Sequence, residues 1–126
     1  MQHTVLLVDD EEGIRTVLSL AIADAGYEVL TAQTGAQALE MLGKREIPLI
    51  VTDIRMPGMD GLELLKRIRK EWPDSEVIMI TGHGDMDVAI ESLRLGAGDF
   101  ITKPLHENAL EISLKRAVEK ISIRDQ

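Results

Sequence analysis

Short apolar runs alternate with amphipathic patterns five times along this chain, and this alternation limits the possible folds more than any other feature. The first run, Thr4–Val8, is rich in aliphatic residues, as in a strand that is covered on both faces. Similar runs occur at residues 49–52, 77–80 and 100–102. Glu28–Ala32 is more polar and is typical of an edge strand. We therefore expect five strands.

Apolar residues at spacings of three and four fill the gaps between these runs and predict helices. The first pattern covers residues 14–25 and is followed by Gly26, a residue that commonly stops a helix. Gly43 is expected to close the second helix, Pro73 to follow the third and Gly96 to stop the fourth. A fifth pattern runs almost to the last residue, as if it continued into a linker of a longer protein. This order predicts one parallel α/β sheet with helices on both faces.

The composition narrows the class of partner. The 126 residues include 22 acidic and 14 basic side chains, so the net charge of −8 would repel a nucleic-acid backbone. Aromatic residues make up only 2% of the chain, which also argues against base stacking. The sequence has no cysteine, no signal-peptide pattern and no apolar stretch near the roughly 18 residues of a membrane span. We expect a single cytoplasmic domain over residues 1–126 that contacts neither membrane nor nucleic acid directly.

Polar residues follow the predicted strands at the points where those strands end. Asp9 and Asp10 follow the first strand, Asp53 the third, Thr81 the fourth and Lys103 the fifth. If the strands are parallel, these residues meet at one edge, where ligands of open α/β sheets bind. Three carboxylates that repel one another favour a bound Mg²⁺. The lysine and the hydroxyl are suited to a phosphoryl oxygen, so the set indicates phosphoryl transfer to a carboxylate.

With these residues in place, the chain resembles the receiver domain of bacterial two-component response regulators. The resemblance runs from Val5 to about Ala117, and its motifs lie at residues 8–11, 53–61, 81–84 and 100–104. It implies a doubly wound, flavodoxin-like sheet with strand order 2-1-3-4-5. Residues 80–85, 95–97 and 99–100 are most similar to the receivers of enhancer-binding transcription activators.

The resemblance also implies residue roles. Asp53 is the phospho-acceptor, Asp10 binds Mg²⁺ (or Mn²⁺) directly, and Asp9 binds it through water or assists. Arg55 contributes its backbone carbonyl to the metal, and Lys103 pairs with the phosphoryl group. Thr81 and Phe100 are switch residues, which move toward the phosphate and inward, respectively. The Lys103–Pro104 peptide bond is expected to be cis. Arg55 and His83 flank the site, where they are expected to tune the lifetime of the phosphate.

The implied phosphoryl donors are the phosphohistidine of a sensor histidine kinase and small molecules such as acetyl phosphate. The receiver catalyses its own phosphorylation and often its dephosphorylation, so it is a switch with weak enzymatic character. We expect the output surface to consist of the fourth helix, the fifth strand and the fifth helix. Apolar residues occur on more than one side of the fourth helix, and Ile112 lies outside the core face of the fifth helix. Its partner would be an output domain, a downstream protein or a second copy of the chain after phosphorylation.

Three other functions fit the predicted topology less well. A flavin module would need a neutral phosphate loop after the first strand, where Asp9 and Asp10 instead carry negative charge. A haloacid-dehalogenase-type hydrolase would have its nucleophilic aspartate at the end of the first strand, whereas Asp53 lies on the third. A receiver-like module that binds proteins without phosphorylation is the alternative that stays open, although the intact acidic cluster, Thr81 and Lys103 argue against it.

Overall fold

Five strands and five helices alternate within residues 3–82 and 84–125, the part of the chain that the computed structural model describes. The strands are β1 (Thr4–Val8), β2 (Glu28–Ala32), β3 (Leu49–Asp53), β4 (Glu76–Thr81) and β5 (Asp99–Thr102). The helices are α1 (Glu12–Asp24), α2 (Gly35–Lys44), α3 (Gly61–Glu71), α4 (Met86–Arg94) and α5 (Glu107–Arg124). The predicted alternation is confirmed, and each strand end lies within one residue of its expected position.

The strands form one sheet in the order β2-β1-β3-β4-β5, and every neighbouring pair is parallel. This flavodoxin-like order confirms the expected fold class. Every residue of β3 and β4 is buried, whereas β2 at the edge keeps exposed positions. The nearly continuous apolar runs in the sequence therefore mark the strands that are covered on both faces.

Two hydrophobic cores lie on opposite faces of the sheet, because successive side chains of a strand point to opposite sides. On one face, Leu6 and Val8 of β1 pack with the buried sides of α2 and α3. On the other face, Val5 and Leu7 pack with α1 and α5. Leu114 of α5 is fully buried in this second core. The two cores fix the strands and helices that carry the residues of the rim.

The end of α2 differs from the sequence-based expectation. Gly43 lies inside the helix, which continues through Lys44 and ends where Arg45 adopts an extended backbone with φ of −155°. A glycine in a helix costs only about 0.5–1 kcal/mol relative to alanine. Burial of a leucine such as Leu42 contributes about 1.5–3 kcal/mol, so packing carries the helix past Gly43. The expected stop at Gly96 is confirmed, and this residue has a φ of +105°.

Candidate functional site

The parallel topology brings residues that are far apart in the sequence to one rim of the sheet. Asp9 follows β1, Asp53 ends β3, Thr81 ends β4 and Lys103 follows β5. Asp53 lies opposite Ile80 in the register of β3 and β4, so Thr81 is one position further along the neighbouring strand. The structure thus places the four predicted strand-end groups at the same edge.

Three carboxylates form the acidic part of this rim. Asp9, Asp10 and Asp53 each offer one oxygen, and these oxygens all lie within 4.8 Å of one another. Asp9 is fully buried, Asp53 is almost fully buried and Asp10 is half-buried. Little water can screen their mutual repulsion, so the cluster requires compensating positive charge.

Asp9 is held from two sides. Its Oδ1 accepts a hydrogen bond of 2.9 Å from the backbone N–H of Glu11, and its backbone carbonyl accepts one of 2.8 Å from Nη1 of Arg15. Its Oδ2 is buried and accepts no hydrogen bond from the described part of the chain. Burial and the negative charge of Asp53 raise the pKa of Asp9, although the Glu11 N–H and the Lys103 charge oppose this shift.

Asp53 lies between a cation and a backbone donor. Its Oδ2 accepts a hydrogen bond of 3.1 Å from Nζ of Lys103, and its Oδ1 accepts a longer one of 3.3 Å from the backbone N–H of Arg55. Burial lowers the pKa of Lys103, but the hydrogen bond and charge of Asp53, together with the charges of Asp9 and Glu11, raise it overall. Lys103 is therefore held as a cation beside the candidate acceptor.

Thr81 and the loop after β5 complete the rim. The hydroxyl of Thr81 is buried and forms no hydrogen bond within residues 3–82 and 84–125. Its backbone carbonyl accepts a hydrogen bond of 2.8 Å from the N–H of Lys103, which holds the β5–α5 loop against the end of β4. The Lys103–Pro104 peptide bond is cis, as the family resemblance implies. Phe100 is half-buried against the core beneath α2 and α3, and its inward movement stays a prediction.

Gly61 supports the site, and the sequence did not indicate why a glycine is required at this position. Its N–H donates a hydrogen bond of 2.8 Å to the carbonyl of Ile54. A Cβ added at Gly61 would overlap the carbonyl oxygen of Asp53 and lie 2.7 Å from the Cα of Ile54. Only glycine lets the start of α3 approach the end of β3 this closely, and this approach fixes the backbone of Asp53.

Arg55 forms a second contact that sequence reasoning did not find. Its Nη2 and Nε donate to the two carboxylate oxygens of Asp85, at 2.8 and 3.3 Å, and so join the β3–α3 loop to the start of α4. This hydrogen bonding lowers the pKa of Asp85 and raises that of Arg55. His83, the other predicted flanking residue, lies outside the described residues.

The donor set fits a small, hard divalent cation. Carboxylate oxygens are the ligands that Mg²⁺ and Mn²⁺ prefer, and three of them converge here. The buried Oδ2 of Asp9 has no hydrogen-bond donor among the described residues, so it is free to accept a metal-bound water or the metal itself. The residues present therefore suit the metal that the resemblance implies.

The predicted output surface exposes large apolar side chains. On α4, Met86, Ile90 and Leu93 are 49%, 46% and 42% exposed, and Ile112 on α5 is 47% exposed. Val88 of α4, in contrast, packs against the core. The expectation that apolar residues of α4 lie on more than one side is therefore confirmed. Contact of this surface with a partner stays a prediction.

The sheet order and the acidic rim define a flavodoxin-like α/β domain of the receiver class. A family model described as "Response regulator receiver domain" matches residues 5–115, and the chain belongs to this family. The receiver is of the NtrC and NtrX type, because receivers of these regulators match more than nine-tenths of the chain at 39% identity. This result confirms the resemblance to receivers of transcription activators.

Relatives and solved structures support this assignment. The chain is 39% identical over 122 residues to the DNA-binding transcriptional regulator NtrC of Escherichia coli K12, which covers 97% of this chain and 26% of the relative. The receiver domain of NtrX from Brucella abortus superposes with a TM-score of 0.88 at 39% identity, covering 91% of this chain and 98% of that one. A receiver domain protein from Clostridium thermocellum gives a TM-score of 0.92 at 32% identity, with coverage of 96% and 98%.

The chain spans about a quarter of the length of the curated relatives it matches. In the described ranges, none of the helices has both the length and the apolar character needed to cross a membrane.

Proposed function

We propose that this chain is a cytoplasmic phospho-acceptor switch in which Asp53 takes a phosphoryl group from the phosphohistidine of a sensor histidine kinase or from acetyl phosphate. The observation that carries the proposal is the position of Asp53. Its carboxylate is almost buried at the end of β3, 3.1 Å from the ammonium of Lys103 and in one cluster with Asp9 and Asp10. An acceptor carboxylate, a cation and a metal-ligand set thus share one rim.

Each residue of the rim has a distinct role in the proposed phosphoryl transfer. An oxygen of Asp53 forms a bond to phosphorus while the bond from phosphorus to the donor nitrogen or oxygen breaks, and the bonding electrons leave with the donor. Lys103 holds the Asp53 carboxylate before transfer and then neutralises a phosphoryl oxygen. The Thr81 hydroxyl, which has no acceptor among the described residues, donates to another phosphoryl oxygen.

We assign Asp10, Asp53 and the backbone carbonyl of Arg55 as direct ligands of Mg²⁺, with Asp9 acting through water or assisting. Mn²⁺ would suit the same oxygen ligands. When bound, the metal neutralises charge that builds up on the phosphoryl oxygens. The Glu11 N–H holds the buried Asp9 carboxylate and Arg15 holds the Asp9 backbone carbonyl, so Asp9 keeps an oxygen in this cluster.

The proposed output is a change in the α4–β5–α5 surface. Phosphorylation adds negative charge and acceptor oxygens at the rim, which draws Thr81 toward the phosphate and lets Phe100 turn inward. The exposed Met86, Ile90 and Leu93 of α4 provide the apolar surface that such a change can alter. We propose that this surface contacts an output domain that controls transcription, a downstream protein, or a second phosphorylated copy.

Intact-mass analysis after incubation with acetyl phosphate tests the proposal. The wild-type chain should gain the mass of one phosphoryl group with Mg²⁺ and none with EDTA. Asp53→Asn should gain none. Asp60→Asn is the matched control, because Asp60 lies in the same loop and caps α3, a role that asparagine also fills. It should be phosphorylated like the wild type.

The absence of phosphorylation in the wild-type chain would also be informative. If the wild-type chain gains no phosphoryl group from acetyl phosphate or from a kinase, while calorimetry shows that Mg²⁺ binds, the acceptor role is refuted. The phosphorylation-independent binding module would then be the better function.

A further inference from the structure

The Arg55–Asp85 ion pair joins the two loops on either side of the acceptor. Arg55 is two residues after Asp53, and its backbone N–H already contacts the Asp53 carboxylate. Asp85 is the residue immediately before α4. The two side chains meet in a forked, two-bond geometry although 30 positions separate them in the sequence. The pair is thus a direct connection between the acceptor loop and the helix that carries the exposed apolar residues.

Asp85 is at the position where an aspartate normally caps a helix, but it does not cap α4. An N-cap carboxylate usually accepts hydrogen bonds from the second or third backbone N–H of its helix, which here belong to Asp87 and Val88. The Asp85 side chain makes no such bond, and its backbone has φ of −100° and ψ of 26°, outside the extended region of a capping residue. Its carboxylate pairs with the Arg55 guanidinium and also lies beside the backbone of Gly82, whose N–H helps to lower its pKa. The start of α4 is a further, competing partner for this carboxylate.

Arg55 also has two competing partners once Asp53 is phosphorylated. A guanidinium pairs with phosphate oxygens through the same forked geometry that it uses with a carboxylate. The Arg55 side chain is 68% exposed and lines an open groove of about 480 Å³ between the β3–α3 loop and α4, so neighbouring atoms leave it room to turn.

From these contacts we infer that Asp85 is a positioning residue that holds the Arg55 side chain until phosphorylation, when Arg55 moves to the phosphoryl group on Asp53 and the released Asp85 caps α4. This inference rests on the proposed phosphorylation of Asp53. Phosphorylation thereby acts on α4 directly: the Arg55–Asp85 ion pair breaks, while Arg55 contacts the phosphoryl group and Asp85 contacts the backbone N–H groups of α4. The first turn of α4, which includes the exposed Met86, is then the first part of the output surface to change.

Hydrogen exchange at the amides of Asp87 and Val88 tests the inference. In the unphosphorylated wild type these amides should exchange as uncapped, and phosphorylation should slow them about fivefold, the effect of one capping hydrogen bond. Arg55→Gln and Asp85→Asn should show the slow exchange without phosphorylation, because aspartate and asparagine side chains both cap once the ion pair is gone. Asp85→Ala, which can neither pair nor cap, should show fast exchange in both states.

Two control variants distinguish a local change in hydrogen exchange at the start of α4 from a general loss of structure. Glu40→Gln breaks an exposed ion pair with Lys44 on α2 and should change neither amide. Arg55→Lys keeps the charge but loses the fork, and should give partial slowing.

The result that overturns the inference is equal exchange at both amides in all unphosphorylated variants, with no slowing in the phosphorylated wild type. If intact mass shows that the wild type is not phosphorylated at all, the proposed function fails and the movement of Arg55 to a phosphoryl group fails with it. Slow exchange in unphosphorylated Asp85→Asn would in that case show that the ion pair itself still restrains α4, so the two failures are distinguishable.

Discussion

Asp9→Asn should make the metal-free protein more stable and less sensitive to Mg²⁺. At 4.8 Å and an effective dielectric constant of about 20, two carboxylates repel each other by about 3.5 kcal/mol. Lys103 offsets part of this repulsion through its 3.1 Å contact with Asp53. The substitution also removes a buried carboxylate oxygen that has no hydrogen-bond donor among the described residues. We therefore expect the free energy of unfolding to rise by about 1–3 kcal/mol.

The pH dependence of this effect has a definite sign. The pKa of Asp9 is raised in the folded protein above its ordinary value of 3.8, so between these two pKa values the folded state binds more protons than the unfolded state. The free energy of unfolding then falls as the pH rises through the raised pKa. Wild-type protein in EDTA should lose stability across this range, and Asp9→Asn should lose less.

Mg²⁺ should narrow the difference in stability between the two proteins. A ligand that binds only the folded state at ten times its dissociation constant stabilises that state by about 1.4 kcal/mol. The wild type should gain this stability, whereas Asp9→Asn should gain less because it has lost one anionic oxygen of the cluster.

Urea unfolding followed by circular dichroism, from pH 4 to pH 8 with EDTA or MgCl₂, measures all three effects. Glu40→Gln makes the same charge change at an exposed site and should shift stability only slightly. A metal-free Asp9→Asn protein that is less stable than the wild type at pH 8 would show that repulsion within the acidic cluster does not limit stability. A variant that gains as much stability from Mg²⁺ as the wild type would show that Asp9 does not contribute to the metal site.

Three further substitutions test individual parts of the rim. Lys103→Gln should slow phosphorylation of Asp53 by about 10²–10³-fold, because it removes the cation beside the acceptor. Thr81→Ala should slow it about tenfold but change stability by less than about 1 kcal/mol, since its buried hydroxyl makes no bond within the described chain. Gly61→Ala should lower the free energy of unfolding by about 1–3 kcal/mol, because the new Cβ overlaps backbone. Time-resolved intact mass and urea unfolding measure these effects.

Each of these substitutions has a result that contradicts it. Phosphorylation of Lys103→Gln at the wild-type rate would remove Lys103 from the mechanism. A Thr81→Ala protein that is phosphorylated normally would show that the hydroxyl is not used. Gly43→Ala is the matched control for Gly61, because its Cβ would meet open space in a helix, and it should stabilise by about 0.5–1 kcal/mol. If both alanine variants gain stability, the close approach at Gly61 does not constrain the fold.

The sequence predicted the sheet and the rim because both depend on strong, local signals. The apolar runs around Leu6 and Ile78 are covered on both faces, and few structures other than a central parallel strand bury such a run. Once the strands are parallel, the residues that follow them, such as Asp9 and Asp53, must lie at the same edge. Their convergence therefore follows from topology and requires no knowledge of side-chain positions.

Features that depend on the packing of loops, or on the balance of small energies, could not be predicted from the sequence. Gly43 looked like a helix stop, but burial of Leu42 outweighs the cost of one helical glycine. The Arg55–Asp85 pair depends on how two loops approach each other across 30 positions of sequence. The need for glycine at position 61 arises from a backbone contact between the end of β3 and the start of α3, which no local pattern in the sequence shows.

If Asp53 itself carries the phosphoryl group, identification of the modified residue will show it. After incubation with acetyl phosphate and Mg²⁺, borohydride reduction converts an aspartyl phosphate to homoserine, which peptide mass spectrometry then locates. We expect homoserine at position 53 and at no other aspartate, with none formed in EDTA. Homoserine at Asp9 or Asp10, or no homoserine in a sample whose intact mass shows a phosphoryl group, would contradict it.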